Sequence, residues 1–216
     1  MAATEGLRER KKRETREAIT RAAWKLFARR GFDAVTVADI ARAAKVSEKT
    51  VYNYFPAKED LVFGAGMQRV AALIEAVSTR PEGASIVEPF RRWTMDHLDR
   101  VEHEPVDSIT AIPRLVMGSD ALRVRLFVGW EQEASLLGPV IAEQVGESES
   151  ELVPLVVART LAWTHRVIFR AAFTRLIEGE DQVVVAAELR VEAQRAYDLL
   201  EEGLAGYGAP ARGRPA

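Results

Sequence analysis

Residues 36–61 read TVADIARAAKVSEKTVYNYFPAKEDL, and their spacing decides what the first part of this chain must be. Thr36 and Asp39 open an apolar-periodic segment at the two positions of a capping box, with Asp39 where Glu is usual. The helix they start, 37–44, carries an inward stripe of Val37, Ile40, Ala41 and Ala44. It is too short to persist alone in water and must be packed. Lys45-Val46 then makes a tight turn, and Ser47 is a good N-cap for a second short helix, 48–54. On that helix a rotation of about 100° per residue turns Val51 and Phe55 inward, with Tyr54 close beside them. Lys49, Tyr52 and Asn53 project the opposite way, with Thr50 on the flank. A cation, a phenol, an amide and a hydroxyl on one exposed face suit phosphates and base edges. Two short helices joined by a tight turn, the second with such a face, describe a helix-turn-helix. A bland three-helix packing unit would share the Ser cap and the Val/Phe core. It would have no reason to gather this polar set on one side.

Working toward the N-terminus, Ile19, Ala22, Ala23, Leu26 and Phe27 form one face of a helix over 9–30, and Gly31 stands where a C-cap would stop it. Arg10-Lys11-Lys12-Arg13 precede that face. Residues 1–60 carry a net charge of +5 and the remainder −7, although the whole chain is only −2. A basic head on an acidic body points to a polyanion as the head's partner. An amphipathic helix that happens to be Arg-rich gives the same count.

The stretch Thr36 to Leu61, with its Thr-Val-Tyr-x-Tyr-Phe-Pro-x-Lys-Glu core, resembles the DNA-binding region of the TetR family, and the preceding AAWKLFARRGFDAVTV matches as well. The likeness covers Ala18 to Leu61 and slightly beyond. It implies that Thr36 and Lys58, each at a helix start, hold phosphates, where anions are favoured. Tyr54 should also reach a backbone phosphate. Ser47, Lys49, Thr50, Tyr52 and Asn53 should enter the major groove or line its walls. Lys11, Lys12 and Arg13, with Arg10, should lie near DNA, although a solvated basic tail reads the same way. Two positions depart from the family. Lys45 stands where Gly is usual, which would cost about 1 kcal/mol if a left-handed conformation is kept. Ala57 stands where Ser is frequent, so the fourth helix must lean on Glu59 and Asp60.

Beyond residue 60 helix-period spacing continues, with further helices expected at 58–79, 86–103, 107–117, 120–145, 149–178 and 182–203. The fold class is therefore all-α, about nine helices, with a three-helix head joined to a helical body. The expected domains are 1–60 for DNA binding with a basic arm, 61–205 for ligand binding and dimerisation, and 206–216 (YGAPARGRPA and its preceding residue) as a disordered tail. The resemblance implies a homodimer through the last two long helices. Leu152, Val156, Trp163 and Val167 are the candidate stripe on the first, and Leu189, Ala193, Ala196 and Leu200 that on the second, although some of these fit the core of their own subunit equally well. Trp93 and His97 recur at helical spacing on an apolar face, and Glu131 adjoins Trp130. With Trp163 these are the candidate ligand-binding residues for an apolar or amphipathic small molecule. Each fits a core position equally well. Gly64-Ala65-Gly66 follows no strand and marks a soft point in the fourth helix.

The composition bounds the rest. No cysteine is present, which excludes disulfides, thiol nucleophiles and cysteine-held metals. The three histidines, His97, His103 and His165, show no metal-ligand spacing, and no P-loop or GxSxG turn occurs. No catalytic residue, metal or cofactor is expected. The charged start offers no signal peptide, and the longest apolar run, Leu152 to Ala158, falls short of the roughly 20 residues of a membrane span. The expectation is a soluble cytoplasmic protein without a membrane partner. The resemblance makes it a repressor released from a palindromic operator by a small effector. The alternative is a DNA-binding regulator without a small-molecule switch, either constitutive or controlled by a protein.

Overall fold

The computed structural model describes residues 6–64, 66–81, 83–146, 148 and 152–204, with the side chains of 66–69 outside that description. The tail expected at 206–216 lies outside the described residues. The described residues form ten α-helices and no strand. They are α1 Leu7–Arg30, α2 Val37–Ala44, α3 Glu48–Tyr54, α4 Asp60–Phe63, α5 Gly66–Ser78, α6 Glu88–His103, α7 Val106–Met117, α8 Asp120–Val145, α9 Leu152–Ile177 and α10 Gln182–Gly203. The single helix expected over 58–79 is two, α4 and α5, divided at the glycines. The chain falls into two compact units, one of residues 1–66 and 114–126, the other of 67–113 and 127–216.

In the first unit α1 packs on α2 through Ile19, Ala23 and Phe27, all buried. Phe27 meets Phe32 at 5.1 Å between ring centres. Gly31 ends α1 at φ 73°, ψ 170°, a region open essentially to glycine, and its N–H donates to the Phe27 carbonyl. Burial of Ile40, Ala41, Val51 and Phe55 then fixes two helices that could not stand alone. The end of α7 and the start of α8 complete this unit. Ser119, buried, donates to Asp33 Oδ1 at 2.7 Å and accepts from the N–H of Leu122, whose side chain is fully buried. Arg125 donates to Asp60 Oδ1 at 3.0 Å. No local pattern in 114–126 announces this membership, because it rests on contacts with residues far away in the chain.

In the second unit α6, α9 and α10 enclose a core that includes Phe90, Leu98, Leu161, Phe169, Leu189 and Tyr197. Asp181 caps α10 by accepting from the N–H groups of Val183 and Val184. Two arginines fasten α6 to α10: Arg91 reaches Asp198 at 2.6 Å, and Arg190 reaches Asp99 at 2.6 Å and also Glu102. Helix α9 is long and apolar enough, by length and composition alone, to cross a membrane. Its inner face, including Val157, Leu161, Ile168 and Phe169, is part of this core. Its outer face keeps Leu152, Val156, Trp163 and Val167 exposed. The expected stripe on α10 is different: Leu189 and Ala193 are buried in the core of their own chain, and Leu200 packs against it. The exposed apolar residues of α10 are instead Val183, Val184, Val191 and Leu199. A helix with two apolar faces cannot announce from spacing alone which one its own chain covers.

Candidate nucleic-acid interface

The helix-turn-helix begins at a complete capping box. The Thr36 N–H donates to Asp39 Oδ2 at 3.2 Å, and the Asp39 N–H donates to Thr36 Oγ1 at 3.1 Å. The Thr36 backbone N–H first, then the Thr36 side chain, with Arg30 nearby, hold the Asp39 carboxyl below its ordinary range. Arg30 and Arg42 both pair with Asp39, at 3.2 and 3.3 Å. Thr36 is thereby fixed at the positive end of α2 and exposed.

The turn keeps the left-handed conformation that the sequence made costly. Lys45 has φ 57°, ψ 43°, the only positive φ at a non-glycine among the described residues, and its N–H donates to the carbonyls of Ala41 and Arg42. Ser47 then caps α3: its Oγ accepts from the Thr50 N–H at 3.0 Å and lies 2.8 Å from the Thr50 hydroxyl. Val51 and Phe55 face inward. Lys49, Tyr52 and Asn53 are exposed, Tyr52 with half its surface in solvent, and Thr50 and Tyr54 are half-buried. A long cation, a phenol and an amide thus stand on a helix whose start and inner face are both held. That is the arrangement a base-reading helix needs.

Arg16, which the sequence places on the polar side of α1, has a task that spacing did not show. It donates to the Tyr54 carbonyl at 3.2 Å and lies over the Phe55 ring at 4.5 Å, closing the end of α3. Lys58 is also drawn inward. Its ammonium donates to the carbonyls of Phe32 and Val35 at 3.2 and 3.0 Å and sits 4.0 Å from the centre of the Phe32 ring. An ammonium has three donors, so one remains for a phosphate. In place of the missing cap at Ala57, Asp60 Oδ2 accepts the Ala57 N–H at 3.0 Å. Lys11, Lys12 and Arg13 are exposed on the first turns of α1, where Arg13 pairs with Glu17 at 3.7 Å.

The five candidate ligand-binding residues fall into two clusters of the second unit. In the first, Trp93 stacks on His165 at 3.7 Å, and His165 stacks on Phe169 at 4.4 Å. His97 stands edge-on to all three rings at 5.1 Å. Thr94 Oγ1 bridges His165 Nδ1 at 2.9 Å and the Tyr197 hydroxyl at 2.7 Å, entirely within the core. Burial pushes the Tyr197 phenol up to about 12, so it stays protonated. The expectation omitted His165, Thr94 and Tyr197; only the meeting of three helices brings them together. Trp93 also borders a groove of about 540 Å³ between α5 and α6, whose walls include Leu73, Arg80, Glu88 and Asp96.

In the second cluster Trp130 and Trp163 meet edge to face at 5.7 Å. Between α8 and α9 the buried pair Arg166–Glu133 closes at 3.1 Å, with the guanidinium 5.1 Å from the Trp130 ring. Burial raises the Glu133 carboxyl and Arg166 opposes it, while Glu133 Oε1 has no hydrogen-bond partner. Glu131 pairs with Arg159 at 2.5 Å on the surface.

A capped helix-turn-helix with an exposed polar recognition face, in an all-helical chain, defines a DNA-binding transcription regulator. Residues 19–65 match the family described as bacterial regulatory proteins, tetR family. Over 196 residues the chain is 28% identical to the HTH-type transcriptional regulator TcmR of Streptomyces glaucescens, across 88% of this chain and 87% of that protein. Two solved structures share the fold at low identity. Native NalD, the secondary repressor of the MexAB-OprM multidrug efflux pump in Pseudomonas aeruginosa, superposes with a TM-score of 0.58 at 20% identity, covering 85% of this chain and 97% of that one. The SmeT–triclosan complex gives 0.59 at 17%, covering 94% and 99%. Residues 19–65 are thus a DNA-binding region of the TetR type, in a chain similar over most of its length to a transcriptional regulator.

Proposed function

We propose that this protein is a cytoplasmic repressor that holds a palindromic operator as a homodimer and is released by a small apolar or amphipathic ligand. The observation that carries the reading is the exposed face of α3, where Lys49, Tyr52 and Asn53 stand on a helix fixed by Ser47, Arg16, Val51 and Phe55. Thr36, Tyr54 and the third donor of Lys58 contribute phosphate contacts, Ser47 and Thr50 line the groove beside the recognition face, and Lys11, Lys12 and Arg13 add charge from the arm. Two such helices about 34 Å apart read two half-sites one turn of DNA apart.

Dimerisation is supported by the apolar outer face of α9, with Leu152, Trp163 and Val167 exposed at 71, 49 and 54%, beside Val184, Val191 and Leu199 of α10. An apolar face of this extent on a soluble regulator fits a partner rather than water. The groove between α5 and α6 lies within the roughly 300–1,000 Å³ of small-molecule sites. Trp93 supplies its aromatic side, with His97 packed edge-on to Trp93, and Trp130, Glu131 and Trp163 are the second candidate cluster. That SmeT was solved with triclosan is an analogy of fold only. A ligand releases DNA only by binding one conformational state better than the other.

The test is a fluorescence titration of the purified protein against DNA from its own promoter region at two salt concentrations. Tight binding that weakens steeply with salt and is lost on Lys49→Ala or Tyr52→Ala supports the reading. Equal affinity for unrelated DNA would reduce the head to a phosphate binder, and no binding at low salt overturns the reading.

A further inference from the structure

The first unit carries a second basic surface, apart from the exposed face of α3. A groove of about 380 Å³ runs between α1 and the end of α2. Its rim is Arg21, Lys25, Arg29 and Lys45, and its floor is small and apolar, with Ala18 and Ala22 at the centre. All four rim cations are exposed. Arg21 shares Glu17 within α1 at 3.5 Å, while Lys25, Arg29 and Lys45 form no ion pair among the described residues. The three cations without such a partner, around one depression, repel one another unless a counter-charge comes from outside the chain.

A plain explanation exists for part of this. Cations near helix C-termini are favoured by the helix dipole, which accounts for Arg29 and for a cation near the end of α2. It does not account for Lys45 at φ 57°. Arg42 already supplies the cation in the last turn of α2, in helical backbone and without strain. Glycine would adopt the left-handed position freely. Backbone strain that the fold tolerates clusters where a side chain is used, and the Lys45 side chain borders the groove.

We propose that this groove receives the sugar-phosphate backbone flanking the half-site read by α3, with Lys45 as the phosphate contact nearest the recognition helix. The inference rests on the DNA-binding reading and extends its footprint. A regular polyanion matches a rim of cations with no acid among them, and alanines in the floor let a chain of sugars approach closely. Continuity favours DNA over another polyanion: Lys45 lies two residues before Ser47, the cap of the recognition helix.

The experiment uses the full chain and two duplexes from its own upstream region, one long and one trimmed to the half-sites, with binding followed by fluorescence anisotropy across salt. The variants are K45G and the double variant K25Q/R29Q. K45G should melt about 1–4 °C higher than the parent, because the strain is relieved. On the long duplex its slope of log affinity against log salt should fall by about 0.9, one phosphate's worth. K25Q/R29Q should lower that slope by about 1.8. Neither variant should change the slope on the trimmed duplex. Unchanged slopes on the long duplex overturn the proposal, and an equal fall on both duplexes overturns it too, by placing these cations inside the half-site. Unchanged slopes with lost regulation in cells would assign the groove to an acidic protein partner instead. Failure of the parent to bind either duplex at low salt would sink the DNA-binding reading itself, a result distinct from all of these.

Discussion

The helix-turn-helix of the first unit and the core of the second differ in how far apart in sequence their polar contacts reach. In the first, Thr36 with Asp39, Ser47 with Thr50 and Ala57 with Asp60 are each three residues apart. In the second, Thr94 meets His165 and Tyr197 across 71 and 103 residues, and Arg91 meets Asp198 across 107. A contact within one helical turn is written in the sequence as a spacing. A contact across a hundred residues exists only once three helices have packed. The first unit therefore presents a recognition surface that a short motif can carry between proteins. The second can change its interior without disturbing that surface.

The largest effect belongs to α3. Tyr52→Ala or Asn53→Ala should weaken binding to the operator by about 1–3 kcal/mol while leaving the melting temperature unchanged, since both side chains are exposed. A fall in melting temperature of the same relative size would show the recognition face to be structural. Next comes the buried hydroxyl bridge of the second unit. Thr94→Val leaves His165 and Tyr197 without their shared partner, and should destabilise by about 1–3 kcal/mol. Thermal unfolding should detect it, and the operator affinity of the folded protein should stay as it was.

Lys58 tests one of the first unit's own long-range contacts, a clamp that spans 23 and 26 residues. Lys58→Met should lose roughly 1 kcal/mol of stability in denaturant titration, because the carbonyls of Phe32 and Val35 lose their donor. Stability equal to the parent's would leave Lys58 as a phosphate contact alone. The smallest effect belongs to Asp39. Its carboxyl is held below the ordinary 3.8, chiefly by the hydrogen bonds from Thr36, so its contribution is present above that value and lost as pH falls through the lower, folded one. The gap in melting temperature between the parent and Asp39→Asn should be open at neutral pH and close below pH 3.8. A gap that persists in acid would mean the carboxylate charge is not what Asn fails to replace.

The sequence reading succeeded or failed along the same line. The bounds of α2, α3, α8 and α10 follow from caps and periodicity, and the structure has them at 37–44, 48–54, 120–145 and 182–203 as expected. The inward turn of Val51 and Phe55 was legible from about 100° per residue. Arg16 was not, because nothing local says that an arginine on α1 will reach the carbonyl of Tyr54, 38 residues on. Spacing leaves Leu189 and Ala193 open between an interface stripe and a core, and the structure buries both in the core of their own chain. Spacing sets Trp93 and His97 on one face but does not join His165 to them, since a lone histidine at helical spacing carries no sign of the ring that will stack on it.

By itself the sequence determined the all-helical fold, the caps on either side of the turn, and the polar set on α3, because each depends on residues within a turn or two of one another. Only the tertiary structure decided that Lys58 faces the α1–α2 loop, that residues 114–126 join the first unit, and that Thr94, His165 and Tyr197 form one network. Their partners are distant along the chain. Folding, not spacing, pairs such residues: a buried polar group must find a partner, and close packing decides which one lies within reach.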